Sequence, residues 1–249
     1  MAACDHDGVE SVSVTADDGV PLHVGVCGAG ADVVVLSGGL GCVHYLAREE
    51  LAPAGFRCWF PDPRGVGRSA GGAHHMSRAI ADLEDIRHAI GADRWIGLGH
   101  SWGSDLAVRY ALDRPQRVRA VVGIAGHGFH RDREWSAEYE AGRASTEDPV
   151  DIDFVPQVHA SLWGSFKHWI HEPTLWRRLA DCAVPMQFIA AGDDIRPSWP
   201  LQQLAELVPG ASYDVVDGVV HDFWFTRPQL WRSVCTEACR QSDSVSARR

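Results

Sequence analysis

No apolar run in this 249-residue chain approaches the ~20 residues needed to cross a bilayer, which excludes a membrane-spanning helix. The opening residues, Met1-Ala2-Ala3-Cys4-Asp5-His6-Asp7, have neither the basic end nor the apolar stretch of a signal peptide. A basic excess is also missing. The formal net charge is −10, which argues against nucleic acid or an anionic membrane surface as partner. Cysteine is sparse and scattered: seven residues, an odd number, with no C-x-x-C pair. Cys235 and Cys239 stand four apart on an expected helix, too little for a zinc site. No H-E-x-x-H spacing is present, and the His74-His75 pair, His127, His130, His159, His168 and His171 read as surface residues. No G-x-G-x-x-G opens a helix after the first buried strand, and no Gly-Lys-Ser/Thr loop occurs. We expect a reduced, cytoplasmic protein that uses no cofactor and no metal.

What is present suits a globular enzyme. Apolar residues make up 45% and charged residues 22%, and the length suffices for one α/β domain with a large core. Val9 to Ala16 and Leu22 to Val26 alternate apolar and polar residues around Asp17-Asp18-Gly19, the pattern of a hairpin. Short apolar runs follow at Val33–Leu36, Phe56–Phe60, Trp95–Leu98, Val118–Ile124, Met186–Ala191 and Tyr213–Val216. Helical spacing separates most of them: Ile80, Leu83, Ile86 and Ile90, then Trp102 to Leu112, Leu201 to Val208, and Pro228 to Cys239. This order predicts a mostly parallel sheet with helices on both faces. One stretch breaks the rhythm. Gly126 to about Cys182 is rich in tryptophan and charge and helical in pattern, through Trp135 and Tyr139, then Trp163, Phe166 and Trp169. It is too long for a simple crossover. We expect a single domain over 1–249 with a small helical cap inserted at about 126–182. The polar residues Gln241 to Arg249 are expected to fray.

Chemistry concentrates where parallel strands end. Trp95 to Leu98 runs into Gly99-His100-Ser101-Trp102-Gly103, a G-x-S-x-G segment followed at once by a helix. That is the form of a nucleophile elbow, a sharp turn that exposes a serine hydroxyl. Gly67-Arg68-Ser69-Ala70-Gly71 matches the same pattern but has no strand directly before it and no amphipathic helix directly after it, so it reads as a loop. The Met186–Ala191 strand ends in Gly192-Asp193-Asp194, and the last strand is followed by His221. Nucleophile, acid and base therefore occur in that chain order. His221 would take the proton of Ser101. A carboxylate behind it would fix its tautomer, and Asp193 and Asp194 compete for that role. The tetrahedral oxyanion needs two placed donors. The N–H of Trp102 at the helix start is one, and the N–H of Gly39 in Ser37-Gly38-Gly39 is the second. Leu40, Trp135, Trp163 and Trp224 are the candidate wall of an apolar substrate pocket.

On these residues the chain resembles the α/β-hydrolase superfamily, and within it the proline iminopeptidase branch, peptidase family S33. Asp62-Pro63-Arg64-Gly65-Val66-Gly67-Arg68-Ser69 is similar to that family's D-x-R-G-x-G-x-S loop. Gly99-His100-Ser101-Trp102-Gly103-Ser104 is similar to its G-x-S-W-G-S elbow. The resemblance implies that Asp194 is the acid, that His221 is the base, and that Asp62 and Arg64 are structural. Ser37 stands where the family commonly has histidine, and the cap is shorter. The resemblance offers Glu134, Glu138 and Glu140 as groups for a substrate amine. The expectation is a serine hydrolase that cleaves a small ester, amide or related acyl substrate through an acyl-enzyme. A proline iminopeptidase-like aminopeptidase, a lyase or perhydrolase, and a ligand-binding protein on the same scaffold stand as alternatives, since fold and triad do not fix the reaction.

Overall fold

Alternating residues at the start of the chain pair as a hairpin: β1 (Glu10–Thr15) lies antiparallel to β2 (Pro21–Gly28). The apolar runs become β3 (Ala31–Leu36), β4 (Phe56–Pro61), β5 (Trp95–His100), β6 (Val118–Ile124), β7 (Met186–Ala191) and β8 (Ser212–Val216). The computed structural model describes residues 8–130, 132–145 and 150–246. Its eight strands form one sheet in the order β1-β2-β4-β3-β5-β6-β7-β8. β2 meets β4 antiparallel, and every pairing from β4 to β8 is parallel.

Eight α-helices flank the sheet among the described residues: α1 (Met76–Ala89), α2 (Trp102–Asp113), α3 (Arg133–Ser145), α4 (Pro156–Ile170), α5 (Leu175–Ala180), α6 (Trp199–Leu207), α7 (Phe223–Thr226) and α8 (Pro228–Ser246). Strand alternation splits the core in two. Val34, Val121 and Phe188 point to the face covered by α1, α2 and α6, while Val33, Val35, Ile96, Leu98 and Ile189 point to the face covered by α8. Both faces are therefore buried, which is why these strands read as unbroken apolar runs. Each fully buried aliphatic side chain contributes about 1.5–3 kcal/mol.

One expectation needs correction, and one element is new. Helix α8 continues past Gln241 to Ser246, and the rest of that expectation, 247–249, lies outside the described residues. Its buried stripe of Trp231, Cys235, Ala238 and Cys239 extends to Ser242, and Asp243 pairs with Arg119 at 2.9 Å. The four-residue α7 was not foreseen, because Phe223-Trp224-Phe225-Thr226 carries no periodic polar face.

The second G-x-S-x-G copy is a structural loop. Ser69 Oγ donates to the Asp62 carbonyl and accepts from the His23 N–H. Beside it, buried Arg64 donates to Asp82 and to Asp18 on separate edges of its guanidinium. The six described cysteines are all free thiols. No described helix is long and apolar enough to cross a membrane.

The register assembles the functional end of the sheet. Leu36 pairs Gly99, Gly99 pairs Gly123, and Ile124 pairs Ile189. The segments that follow β3, β5, β6 and β7 therefore emerge side by side. The chain between β6 and β7 packs onto the turn after β3, through Val43 N to Asp153 O, Val155 N to Gly41 O, and His159 Nδ1 against Leu40 O.

Candidate active site

Ser101 sits between β5 and α2 with φ 54° and ψ −126°. A serine in this region is strained, and the surrounding packing must hold it there. The flanking glycines explain how. A Cβ on Gly99 would stand 2.2 Å from the Gly103 carbonyl oxygen, and one on Gly103 would stand 2.2 Å from the Leu36 carbonyl oxygen. The strand, the turn and the end of β3 close to backbone contact only because both side chains are absent. The Ser101 N–H donates to Ile124 O at 2.8 Å, which anchors the turn to β6.

Three distant side chains meet at this turn. His221 Nε2 lies 3.0 Å from Ser101 Oγ, and His221 Nδ1 lies 2.6 Å from Asp194 Oδ2. The second oxygen of Asp194 accepts from the Arg196 backbone N–H at 2.9 Å and from Arg196 Nη1 at 3.1 Å. Burial disfavours the Asp194 carboxylate, but the charge and hydrogen bond of His221, followed by Arg196, outweigh it and hold the carboxyl below its ordinary range. Asp193 is exposed and engages Val219 O through its backbone N–H.

The turn after β3 presses against the serine. A Cβ on Gly38 would stand 2.5 Å from Ser101 Cβ and 2.5 Å from Tyr45 Oη. The Gly38 N–H donates to Tyr45 Oη at 2.6 Å. Gly39 follows at φ 70°, a left-handed conformation that glycine adopts without penalty. Trp102 is the first residue of α2, so its N–H lies at the positive end of a twelve-residue helix.

Above Ser101 opens a cavity of about 810 Å³. Gly39, Leu40, Trp102, Trp135, Trp163 and His221 are all in its wall. Trp224 is placed elsewhere. It is buried and stacked on Tyr45 with ring centroids 4.6 Å apart, and it faces a neighbouring cleft. Its neighbour His221 turns inward while α7 carries the indole behind Tyr45. Glu134, Glu138 and Glu140 are exposed and lie outside this wall, whose carboxylates are Asp151 and Asp222. Tyr45, His100, His127 and Arg196 also belong to the neighbourhood. His127 Nδ1 lies 3.7 Å from buried Asp105, and its ring stacks toward His221 at 6.2 Å. His100, His221 and Asp222 come close enough to suggest a metal trio. The ring nitrogens of both histidines are committed, however: those of His100 to Tyr45 Oη and the His221 carbonyl, those of His221 to Asp194 and Ser101.

A family model described as alpha/beta hydrolase fold matches residues 33–204. A proline iminopeptidase from Xylella fastidiosa (strain 9a5c) is 35% identical over 131 residues, which is 49% of this chain and 41% of that protein. Epoxide hydrolase 2 from Siraitia grosvenorii is 31% identical over 133 residues, covering 49% of this chain and 40% of its own. The chain thus spans well under half the length of these curated relatives. A thermophilic esterase from Thermogutta terrifontis superposes with a TM-score of 0.71 over 94% of this chain and 99% of its own, at 18% identity, a likeness of fold.

Proposed function

The chain belongs to the alpha/beta hydrolase fold family, and from that premise we propose that it is a serine hydrolase of small esters, amides or related acyl compounds. The observation that carries this reading is the continuous hydrogen-bonded line from Ser101 through His221 to Asp194, at 3.0 and 2.6 Å. A serine hydroxyl is a weak nucleophile until a base accepts its proton. His221 Nε2 accepts that proton as Ser101 Oγ attacks the acyl carbon. Asp194 keeps the remaining ring proton on Nδ1 and stabilises the imidazolium. The tetrahedral oxyanion lies against the N–H groups of Gly39 and Trp102. Gly38 is not the donor, because its N–H is committed to Tyr45. Loss of one such donor typically costs about 2.7–4 kcal/mol of barrier. His221 then protonates the leaving group, and a water molecule, activated in the same way, cleaves the acyl-enzyme.

The cavity favours a small acyl substrate with apolar parts, since Leu40, Trp102, Trp135 and Trp163 stand in its wall. We read the helical segment over 126–182 as the cap that carries Trp135 and Trp163. Free thiols fit the expected cytoplasmic setting. One observation supports an aminopeptidase as second reading: Asp151 and Asp222 border the cavity and could receive a substrate ammonium. The names of the proline iminopeptidase relatives point the same way. Turnover of p-nitrophenyl acetate against proline p-nitroanilide separates the two. Esterase activity with an inert anilide supports the first reading, preference for the anilide supports the second, and turnover of neither, with no Ser101 labelling by an active-site phosphonate, refutes both.

A further inference from the structure

The nucleophile line leaves two polar side chains beside it unused, the half-buried Tyr45 and the buried His100. Tyr45 Oη accepts from the Gly38 N–H at 2.6 Å and lies 2.7 Å from His100 Nδ1. His100 Nε2 lies 3.1 Å from the His221 carbonyl oxygen. Proton inventory fixes the direction of this chain. A carbonyl only accepts, so His100 must carry its proton on Nε2. Its Nδ1 is then an acceptor, and the phenol, which already receives the Gly38 N–H, must donate to it. The sequence runs Gly38 N–H to Tyr45 O–H to His100 to the His221 carbonyl, and reversing any member leaves a buried group unpaired.

Packing holds both rings in place. Tyr45 is stacked on Trp224, and His100 is edge-on to Trp231 at 5.3 Å. His100 is 1% exposed. Burial first, and the neighbouring His221 second, keep it neutral well below the usual histidine range. Burial likewise keeps the Tyr45 phenol protonated. The line therefore has one fixed polarity across the working pH range.

We infer that Tyr45 and His100 form a positioning relay that fastens the oxyanion turn at Gly38-Gly39 and the backbone of His221 to the two sides of the nucleophile elbow. The inference rests on the serine-hydrolase reading. Beside the His221–Ser101 hydrogen bond, which joins the β5 turn to the loop after β8, the relay ties both of them to the loop after β3. Neither residue touches the reacting atoms in this scheme. Their effect is on geometry, where a displacement of about 1 Å can cost about a hundredfold in rate.

Tyr45→Phe removes only the phenol oxygen, leaving the ring stack on Trp224 and both loops otherwise intact. For p-nitrophenyl acetate the expected result is a fall in kcat of about ten- to a hundredfold with KM within about twofold, because the loosened donors act on the transition state. Affinity for a trifluoromethyl ketone, which mimics the tetrahedral adduct, should fall by the same factor as kcat/KM. An unchanged kcat in folded Tyr45→Phe, or a loss confined to KM, overturns the inference. A measurement on the intact wild-type protein stands apart from activity. Nitrogen-15 NMR of the imidazole rings should show His100 as the neutral Nε2–H tautomer from about pH 6.5, the ordinary histidine value, to about pH 8.5. An Nδ1–H tautomer, or a ring that titrates in that window, overturns it even if Tyr45→Phe fails to fold. An inert wild type that no phosphonate labels refutes the serine-hydrolase reading and with it the turnover role, while the tautomer still reports the relay.

Discussion

Asp194→Asn is the substitution whose outcome the geometry dictates most closely. The two oxygens of Asp194 have opposite neighbours. Oδ1 faces two donors, the backbone N–H and Nη1 of Arg196, at 2.9 and 3.1 Å. Oδ2 faces His221 Nδ1 at 2.6 Å. An asparagine has one acceptor end and one donor end, and the Arg196 pair claims the acceptor. The amide NH₂ is then forced toward His221, which must present a lone pair at Nδ1 and carry its proton on Nε2. That proton points at Ser101, where a base is needed. The side chain keeps its size and position, so the loss is one of tautomer, for which the expected cost in kcat is about 10⁴-fold, or about 5 kcal/mol of barrier. Steady-state turnover of p-nitrophenyl acetate measures it, with circular dichroism to confirm folding. Asp193→Asn, on the exposed neighbour, should leave kcat within about twofold. Retention by Asp194→Asn of more than about a tenth of wild-type kcat would refute the tautomer reasoning, as would equal losses in the two variants.

Other outcomes follow from the same geometry. Gly99→Ala sets a Cβ at 2.2 Å from the Gly103 carbonyl oxygen, so the elbow must open; phosphonate labelling should slow by about a hundredfold, and an unimpaired rate would show that the turn tolerates the side chain. Asp82→Ala removes one of the two carboxylates that the buried Arg64 guanidinium engages and leaves it the exposed Asp18 alone. Urea unfolding should show a loss of about 1–3 kcal/mol, the cost of the donors left without an acceptor, and a loss under about 0.5 kcal/mol would reduce the Arg64–Asp82 pair to a surface contact. Acid should destabilise the fold through two buried histidines. Burial lowers the pKa of His44 and of His100 below the unfolded value of 6.5. The unfolded chain therefore binds protons that the folded chain refuses. Stability is complete above about pH 6.5 and falls with acidification toward the folded values, by up to about 1.4 kcal/mol per pH unit for each ring. Urea midpoints measured in that window should decline with pH, and His100→Gln should flatten the slope; a midpoint constant from about pH 7 to about pH 5 contradicts the assignment.

The elements that carry chemistry were legible because their signals are local. An apolar run, G-x-S-x-G and a helix in direct succession separate Ser101 from Ser69, whose matching motif has a loop on both sides. The expected strands all occur; the central ones, β3, β5, β6 and β7, read as continuous apolar runs because both their faces are buried. Composition and spacing left Asp193 and Asp194 equal, and family resemblance alone placed the acid on Asp194; the structure sets Asp194, not Asp193, at hydrogen-bond distance from His221. The relay was invisible for a different reason. Tyr45 and His100 stand 55 residues apart, and His100 and His221 stand 121 apart. Only the position of His100 inside the elbow motif offered a clue, and a buried histidine there has no distinguishing neighbour in the sequence. Trp224 shows the converse problem, because an aromatic beside the expected base suits a pocket wall and a packing partner equally well, and the stack on Tyr45 decides it. The polar end of the chain reads as loose until Ser242 is seen to continue the buried stripe of α8.

The most direct test is covalent. Incubation with a fluorophosphonate, followed by intact-mass and peptide mass spectrometry, should give one adduct per chain, on Ser101, with no labelling of Ser101→Ala and slow labelling of His221→Gln. Modification at another serine, or equal labelling of wild type and Ser101→Ala, would contradict an activated Ser101 and the hydrolase reading built on it.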